Sequence, residues 1–183
     1  MADSRVASLS LANMWVGFAA FAVAVVLGVY QVVERMDIIP ALKSPALYFG
    51  SVSTHGVLMG FVLTTFLVVG YGYYTATTSL RQELWSRPLA WFGFWLSLAG
   101  VVLAAVPLLT GNASVLYTFY PPLQAHPAFY IGLTLLVVGS WIWSAVILAT
   151  YRGWRTEHRD TPAPLAAFAI VTTIILISQV AKG

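Results

Sequence analysis

The chain contains no cysteine and carries very little charge. Only 8% of its 183 residues are Asp, Glu, Lys or Arg, whereas an average soluble domain contains about 25%. The missing thiols exclude disulfides, cysteine-ligated iron–sulfur clusters and thiolate copper sites on this chain. The missing charge excludes an ordinary soluble domain.

Long apolar runs stand where charged residues would be expected, and 60% of the residues are hydrophobic. Each run is close to the roughly 20 residues that cross a bilayer as an α-helix. The sequence therefore predicts an all-α integral membrane helix bundle, with residues 1–183 as a single transmembrane domain. The five predicted spans lie at about 11–33, 46–78, 89–110, 128–150 and 164–181. Because the chain stops directly after the fifth span, at Gly183, we expect it to be truncated.

The basic residues are distributed unevenly between the two ends of the predicted bundle. With alternating spans, six arginines fall on the side of the N-terminus and three basic residues fall on the other side. Because cytoplasmic loops are enriched in Lys and Arg, this asymmetry predicts a cytoplasmic N-terminus. It also accounts for the formal net charge of +3, so no nucleic-acid partner is expected. The six are Arg5, Arg81, Arg87, Arg152, Arg155 and Arg159, and the three are Arg35, Lys43 and Lys182.

His55 is the one residue among His, Asp, Glu, Lys and Arg that the sequence places deep inside a predicted span. It follows the start of the second span by nine residues. That is about 13 Å along a helix, in the outer half of a roughly 30 Å core. An ionisable group at this depth is costly and marks a candidate functional site. The competing interpretation is a core histidine bonded to a Ser or Thr on a neighbouring helix, and the residues alone leave both open.

The neighbours of His55 limit what it can bind. No His, Asp or Glu lies three or four residues away from it, so it is not part of a self-contained zinc site, which needs four ligands. One imidazole fits an axial haem ligand better, because the porphyrin supplies four further donors. Gly56 and Gly60 are typical of close helix–helix contact, or alternatively of room for a flat ligand. His126 and His158 fall in loops, where we expect them to be interfacial or solvated.

The connection between the third and fourth spans, residues 111–127, is unusually apolar. It has no Asp, Glu, Lys or Arg and carries aromatic residues around Pro121 and Pro122. Consecutive prolines stiffen the chain and remove backbone donors. We therefore expect this loop to lie across the outer mouth of the bundle, packed against another surface. By contrast, the charged stretch 151–163 is expected to be a solvated loop.

Three segments together resemble one protein family. They are Thr54-His-Gly-Val-Leu58, Val101-Val-Leu-Ala-Ala-Val-Pro-Leu-Leu109 and Val115-Leu-Tyr-Thr-Phe-Tyr-Pro-Pro-Leu123. In this order and spacing they look like subunit I of the haem-copper oxidases, and specifically the B-type, or b(o/a)3-type, cytochrome c oxidases. The resemblance covers about residues 46–170. It implies the N-terminal portion of a subunit I, with about five of the family's twelve or so transmembrane helices.

The resemblance also implies roles for particular residues. His55 matches an axial ligand of the low-spin haem, with a b-type haem implied, and Gly56 and Gly60 would leave room beside it. The outer loop would shape the surroundings of that haem through Tyr120, Pro121 and Pro122. The apolar approach of oxygen would be lined by Phe61, Tyr117 and Phe119.

The remaining ligands of such an enzyme lie in later spans that have no counterpart here. We therefore expect the high-spin haem and copper to be held by the remainder of subunit I, and this chain alone to be inactive. Because the chain has no cysteine, it cannot supply the copper centre through which electrons enter. The resemblance implies that subunit II supplies that centre.

The predicted function is a part in electron transfer from cytochrome c, or a similar donor, to oxygen, coupled to proton translocation. The predicted location is the plasma membrane of a prokaryotic cell, with the lipid bilayer as surrounding partner. Two alternatives stay open: a nitric oxide reductase-type member of the same superfamily, and a small helical membrane protein without a cofactor.

Overall fold

The computed structural model describes residues 4–40, 44–113 and 123–180, and all regular structure in these ranges is helical. Helix α1 spans Ser4–Arg35, and α2 spans Pro45–Val57. A π-helical segment, Leu58–Leu63, joins α2 without interruption to α3, Thr64–Leu80. The helices that follow are α4, Arg87–Leu109, α5, Pro127–Glu157, and α6, Leu165–Val180. The prediction of an all-α helix bundle is confirmed.

Four helical stretches are long and apolar enough to cross a membrane, and together they identify a multi-pass membrane protein. They correspond to the first four predicted spans. Among the described residues, α6 is apolar but shorter, with 16 residues. A fifth span therefore stays a prediction.

The helices run in alternating directions, as contacts along their length show. Gly17 of α1 faces Leu67, whereas Gly28, nearer the end of α1, faces His55. Because the later residue of one helix meets the earlier residue of the other, α1 is antiparallel to the α2–α3 rod. Helices α4 and α5 are antiparallel by the same criterion. Among the described helices, their interface is the most extensive.

Local sequence explains where several helices begin. The hydroxyl of Ser44 accepts a hydrogen bond from Leu47 N (3.4 Å) at the start of α2, and Ser86 does the same for Leu89 N (3.4 Å) at the start of α4. In both helices a proline follows in the first turn, where its missing N–H costs nothing. Helix α3 ends at Arg81, whose φ of 51° is left-handed.

One predicted boundary is wrong. The stretch 151–163 was expected to be a solvated loop, but α5 continues as a helix to Glu157. Residues 155–160 are exposed. The helix can extend past the membrane because the charged side chains of these last turns reach water while the backbone keeps its hydrogen bonds. The loop proper is therefore short.

Small residues allow α4 and α5 to approach closely. A Cβ built on Gly132 would lie 2.5 Å from the carbonyl oxygen of Gly100 and 2.7 Å from the backbone nitrogen of Ala104. No side chain fits in that space. Backbone contact of this kind is how membrane helices associate without a hydrophobic driving force, so α4 and α5 form a closely packed pair.

Candidate functional site

The ring of His55 is held by the backbone of the neighbouring helix. His55 is the eleventh residue of α2, which places it about 15 Å from the N-terminal end of that helix. Its Nδ1 lies 2.8 Å from the carbonyl oxygen of Ala24 on α1. Ala24 is fully buried, whereas the His55 side chain is half-buried. The acceptor is thus a main-chain carbonyl, and not the Ser or Thr side chain of the competing interpretation.

This contact decides which ring nitrogen carries the proton. A carbonyl oxygen can only accept a hydrogen bond, so Nδ1 must be the donor. In the neutral imidazole, Nε2 then carries a free lone pair. Histidines that bind metals usually donate their other ring N–H to a carbonyl or carboxylate, which fixes the tautomer and the orientation of the ring. The geometry of His55 therefore fits a ligand that binds through Nε2.

Gly28 makes room for the histidine ring on α1. A Cβ on Gly28 would lie 3.3 Å from Cε1 of His55 and 3.6 Å from Nδ1. Gly28 follows Ala24 by one helical turn, so both residues lie on the same face of α1. Ala24 supplies the acceptor, and Gly28 leaves the space that the ring needs to reach it.

The two glycines next to His55 lie in different surroundings. Gly56 is half-buried near the end of α2. Gly60 is exposed within the π-helical segment, and among the described residues no atom comes within 4 Å of a Cβ built on it. Close helix–helix contact at Gly60 is therefore not what the described part of the chain shows. Its open face leaves space against the backbone.

The π-helical segment begins three residues after His55. Such segments are rare, and they occur frequently at functional sites because they rotate the residues that follow. The carbonyl oxygen of Gly60 accepts a hydrogen bond from the hydroxyl of Thr64 (2.6 Å). The side chains of α3 therefore do not continue the helical register of α2, which carries His55.

An apolar cavity of about 200 Å³ lies beside α2, between α1, α4 and α5. Thr54 contributes to its wall, next to His55 in the sequence, and Val57 and Leu58 follow. Phe61 packs against the main hydrophobic core and is not among the described lining residues. A cavity with so few polar atoms can remain dry and accept a small apolar molecule.

The two ends of the 111–127 connection close on each other, at the end of the bundle where α2 and α5 begin. His126 N donates to Asn112 O (2.9 Å), and Ala113 pairs with Ala125. Ala113 is buried together with Val57, so the start of the loop packs beside the helix that carries His55. The predicted loop residues Tyr117, Phe119, Tyr120, Pro121 and Pro122 lie outside the described residues.

Both remaining histidines are exposed at helix ends, as expected. His126 precedes α5, and its Nδ1 accepts a hydrogen bond from Ala128 N (3.2 Å). His158 follows α5 and stacks on Trp154, with ring centroids 4.8 Å apart. Within the described ranges, no group of three or more His, Cys, Asp or Glu converges on a common point. His55 therefore stands alone at membrane depth in the described part of the chain.

Three features of the site were missed from the sequence: Ala24, Gly28 and the π-helical segment. Ala24 and Gly28 form a pair of small residues one turn apart on the first span, similar to the Gly56–Gly60 pair. That spacing was a usable signal for the face of α1 that approaches another helix. Leu58–Leu63 contains no proline that would mark an irregular helix.

Together, the alternating apolar helices and the backbone-anchored histidine define a class, the multi-pass membrane proteins with a candidate ligand site inside the bundle. The chain belongs to the family described as Cytochrome C and Quinol oxidase polypeptide I, which matches residues 8–181. The predicted resemblance to subunit I of the haem-copper oxidases is confirmed at the level of the family. Assignment to the B-type remains a prediction.

Individual relatives agree with the family. The chain is 34% identical over 164 residues to cytochrome c oxidase subunit 1 of Thermus thermophilus, a match that covers 85% of this chain and 28% of that protein. It also matches a cryo-EM structure of a haem-copper terminal oxidase dimer with a TM-score of 0.83 at 32% identity. That match covers 92% of this chain and 29% of the other. The chain thus spans less than a third of the length of these two relatives.

Proposed function

We propose that this chain contributes to the catalytic subunit I of a terminal respiratory oxidase, where His55 is an axial ligand of a low-spin haem. The observation that carries the proposal is the 2.8 Å contact between Nδ1 of His55 and the carbonyl of Ala24. It is found at membrane depth in a chain whose family is that of oxidase polypeptide I. The cofactor-free alternative is not favoured by that membership.

The residues around His55 fit a haem. The bond to Ala24 leaves Nε2 free to bind iron, and it orients the ring. Gly28 lets the ring lie against α1 without a clash, and the open face at Gly60 leaves space along the backbone for a flat group. When bound, a low-spin haem supplies a one-electron redox centre whose potential depends on its axial ligands and surroundings.

In such a site, this chain would hold the haem and shield it from water. Ala24 fixes the tautomer of His55, and the apolar helices around the site exclude water, which is one of the means by which a protein sets a haem potential. The outer loop, with Tyr120, Pro121 and Pro122, would cover the haem from outside. The oxygen-approach roles of Phe61, Tyr117 and Phe119 stay predictions.

The complete enzyme requires parts that this chain does not include. High-spin haem and copper would be held by the remainder of subunit I, and electrons would enter through a copper centre on subunit II from cytochrome c or a similar donor.

We propose the plasma membrane of a prokaryotic cell, with the N-terminus in the cytoplasm, because the arginine asymmetry predicts that orientation. Oxygen reduction coupled to proton translocation is the activity of the assembled complex. Both relatives are oxidases by name, which does not favour the nitric oxide reductase alternative.

Replacement of His55 by alanine in the assembled complex tests the assignment. The expected result is loss of the six-coordinate low-spin absorbance spectrum and of electron entry, because a low-spin haem needs two strong axial donors. His126→Ala is the matched control, since His126 is exposed at the start of α5 and should leave the spectrum unchanged. A His55→Ala complex with a normal low-spin spectrum would refute the assignment. A purely structural histidine would reduce stability without changing the chromophore.

A further inference from the structure

Two open pockets lie at different depths along the same helices. The shallow pocket, of about 330 Å³, lies between the ends of α3 and α5 and the residue before α6, Pro164. The deep pocket, of about 190 Å³, lies between the bodies of α3, α5 and α6. Tyr71 lines the deep pocket, and Arg81 lines the shallow one. Ten residues of helix span about 15 Å, which is half of a roughly 30 Å hydrocarbon core.

Helical register connects the two pockets along one face of each helix. Val68, Gly72 and Ser79 of α3 follow one another at helical spacing, and all three are lining residues. On α5, the lining residues Trp143 and Trp154 are 11 positions apart, about three turns. Residues at these spacings share a helix face. The two pockets are therefore parts of one groove, the α3–α5–α6 groove.

The shallow pocket carries two opposite charges that do not neutralise each other. Arg81 and Glu157 both line it, and both are exposed. In the part of the chain that the structure describes, neither forms an ion pair, whereas Arg87 and Glu83 do (2.9 Å). Gln82 adds a side-chain amide to the same wall. A ligand that fits this pocket carries an anionic and a cationic group of its own.

Apolar side chains form the base of the shallow pocket and most of the deep one. Leu80 and Trp154 are buried and pack together with Ala167. Val68 and Ile170 line the deep pocket, and Val68 is 56% exposed, so the groove opens on the side of the bundle. An apolar groove that leads to a charged pocket at a helix end has the polarity profile of a phospholipid.

The wall of the shallow pocket is held in place by bonds within the chain. The guanidinium of Arg155 donates to the carbonyl oxygens of His158 (3.0 Å) and Thr161 (2.6 Å). His158 in turn donates through Nδ1 to the carbonyl oxygen of Trp154 (3.1 Å). Because these bonds fix the backbone around Glu157, binding at this wall loses little conformational entropy.

We propose that the α3–α5–α6 groove binds one phospholipid with a primary-amine headgroup, of the phosphatidylethanolamine type. Its phosphate binds to Arg81 and to the amide of Gln82, and its ammonium group donates to Glu157. One acyl chain occupies the deep pocket. Arginine suits a phosphate because its guanidinium presents several donors in a fixed plane. An ionised carboxylate can only accept hydrogen bonds, so it matches an ammonium donor.

The same residues disfavour two other common headgroups. A choline headgroup has no N–H to donate to Glu157, and quaternary ammonium groups are typically recognised by the faces of aromatic rings. In the shallow pocket the ring of Trp154 already stacks on His158 (centroids 4.8 Å apart) and on Tyr151 (6.2 Å). Phosphatidylglycerol carries no cation, so it would leave Glu157 unpaired beside an anionic lipid.

The test uses the assembled oxidase complex that contains this chain. The complex is placed in nanodiscs of equal parts phosphatidylethanolamine, phosphatidylcholine and phosphatidylglycerol. A cryo-EM map of the wild type should show a lipid with its headgroup between Arg81 and Glu157 and a chain in the deep pocket. After detergent washing, native mass spectrometry should show retained phosphatidylethanolamine enriched over phosphatidylcholine by a factor of about 2–5, as expected for an exposed charge pair.

Two substitutions test the two charges separately. Glu157→Gln should abolish the enrichment over phosphatidylcholine while a lipid is still retained. Arg81→Asn should lower the retention of all three lipids, because each carries the phosphate; asparagine tolerates the left-handed backbone at this position (φ 51°). Asp160→Asn and Arg159→Gln are the matched controls, since both residues are exposed at the same end of α5 but do not line the pocket. The controls should leave retention and enrichment unchanged.

A third substitution tests the acyl chain. Ala169 lines the deep pocket and is exposed, so the ring in Ala169→Phe should fill that space and remove the chain density. Ala166 lies one turn earlier on α6, is exposed and does not line the pocket. Ala166→Phe should therefore leave the chain density unchanged.

Three outcomes would overturn the proposal. They are a wild-type map with an empty groove, a map in which another protein segment of the complex fills the groove, and equal enrichment in the wild type and Glu157→Gln. If a variant does not assemble, the wild-type map and the wild-type enrichment decide. The lipid site is independent of the proposed haem ligand, because its readouts are lipid density and lipid retention, whereas the His55 assignment is tested by the low-spin spectrum.

Discussion

Replacing Gly28 by valine would crowd the ring of His55 and break its contact with the backbone of α1. Even the first added carbon would lie 3.3 Å from Cε1 of the ring, closer than ordinary van der Waals contact. The two further methyl groups of valine need additional space next to the ring. The ring must therefore move away from the Ala24 carbonyl, which it approaches to 2.8 Å.

The magnitude follows from two terms. Loss of the hydrogen bond costs about 1 kcal/mol, and overpacking in a well-filled site costs about 1–3 kcal/mol. The sum is about 2–4 kcal/mol. Loss of a residue that orients a metal-bound histidine typically costs about 10- to 100-fold in metal affinity, which is of similar size. We expect Gly28→Val to lower low-spin haem occupancy by roughly that factor.

The assay is the low-spin absorbance spectrum of the assembled complex, normalised to protein, with haem extraction to measure occupancy. Gly50→Val is the matched control. Gly50 lies on α2, five residues before His55, and among the described residues nothing lies within 4 Å of its built Cβ. The control should retain wild-type occupancy. If Gly28→Val also retains full occupancy and an unchanged spectrum, the reasoning that links α1 to the His55 ring is refuted.

Two further predictions concern packing and orientation. Gly132→Leu should lower the free energy of unfolding by about 3 kcal/mol or more, and with it the midpoint of thermal unfolding, because its Cβ would lie 2.5 Å from the carbonyl oxygen of Gly100. Gly50→Leu serves as the control, and equal midpoints for the two variants would contradict the close α4–α5 contact. Single cysteines at two exposed positions, Gln124 and Arg155, should be labelled from outside and from the cytoplasm respectively, in a chain that has no cysteine of its own. The opposite labelling pattern would reverse the orientation predicted from the arginines.

Of the expectations drawn from the sequence, those for the 111–127 connection are the ones that the structure describes least. The resemblance assigns Tyr120, Pro121 and Pro122 to the surroundings of a haem, and these residues lie outside the described ranges. The structure does describe the ends of the loop, which close through Asn112 and His126 next to the helix that carries His55. The ends of this apolar loop therefore pack beside α2, and its position at the outer mouth of the bundle stays a prediction.

Hydropathy and composition were sufficient to predict the helix bundle, its first four spans and the position of His55 inside one of them. These properties are local: a run of apolar residues must become a helix in lipid whatever surrounds it, and a histidine within the run is at membrane depth by counting alone. The extension of α5 to Glu157 was not predicted, because charge alone does not distinguish a solvated helix from a loop.

Only the tertiary structure decided what His55 contacts. The Ala24 carbonyl is one of many equivalent backbone acceptors on α1, and which of them faces the ring depends on how two helices are rotated and shifted against each other. That rotation is set by small residues such as Gly28 and Gly17, which let specific faces approach. The contact arises from packing between helices that are distant in the sequence, so no local pattern in the chain could reveal it.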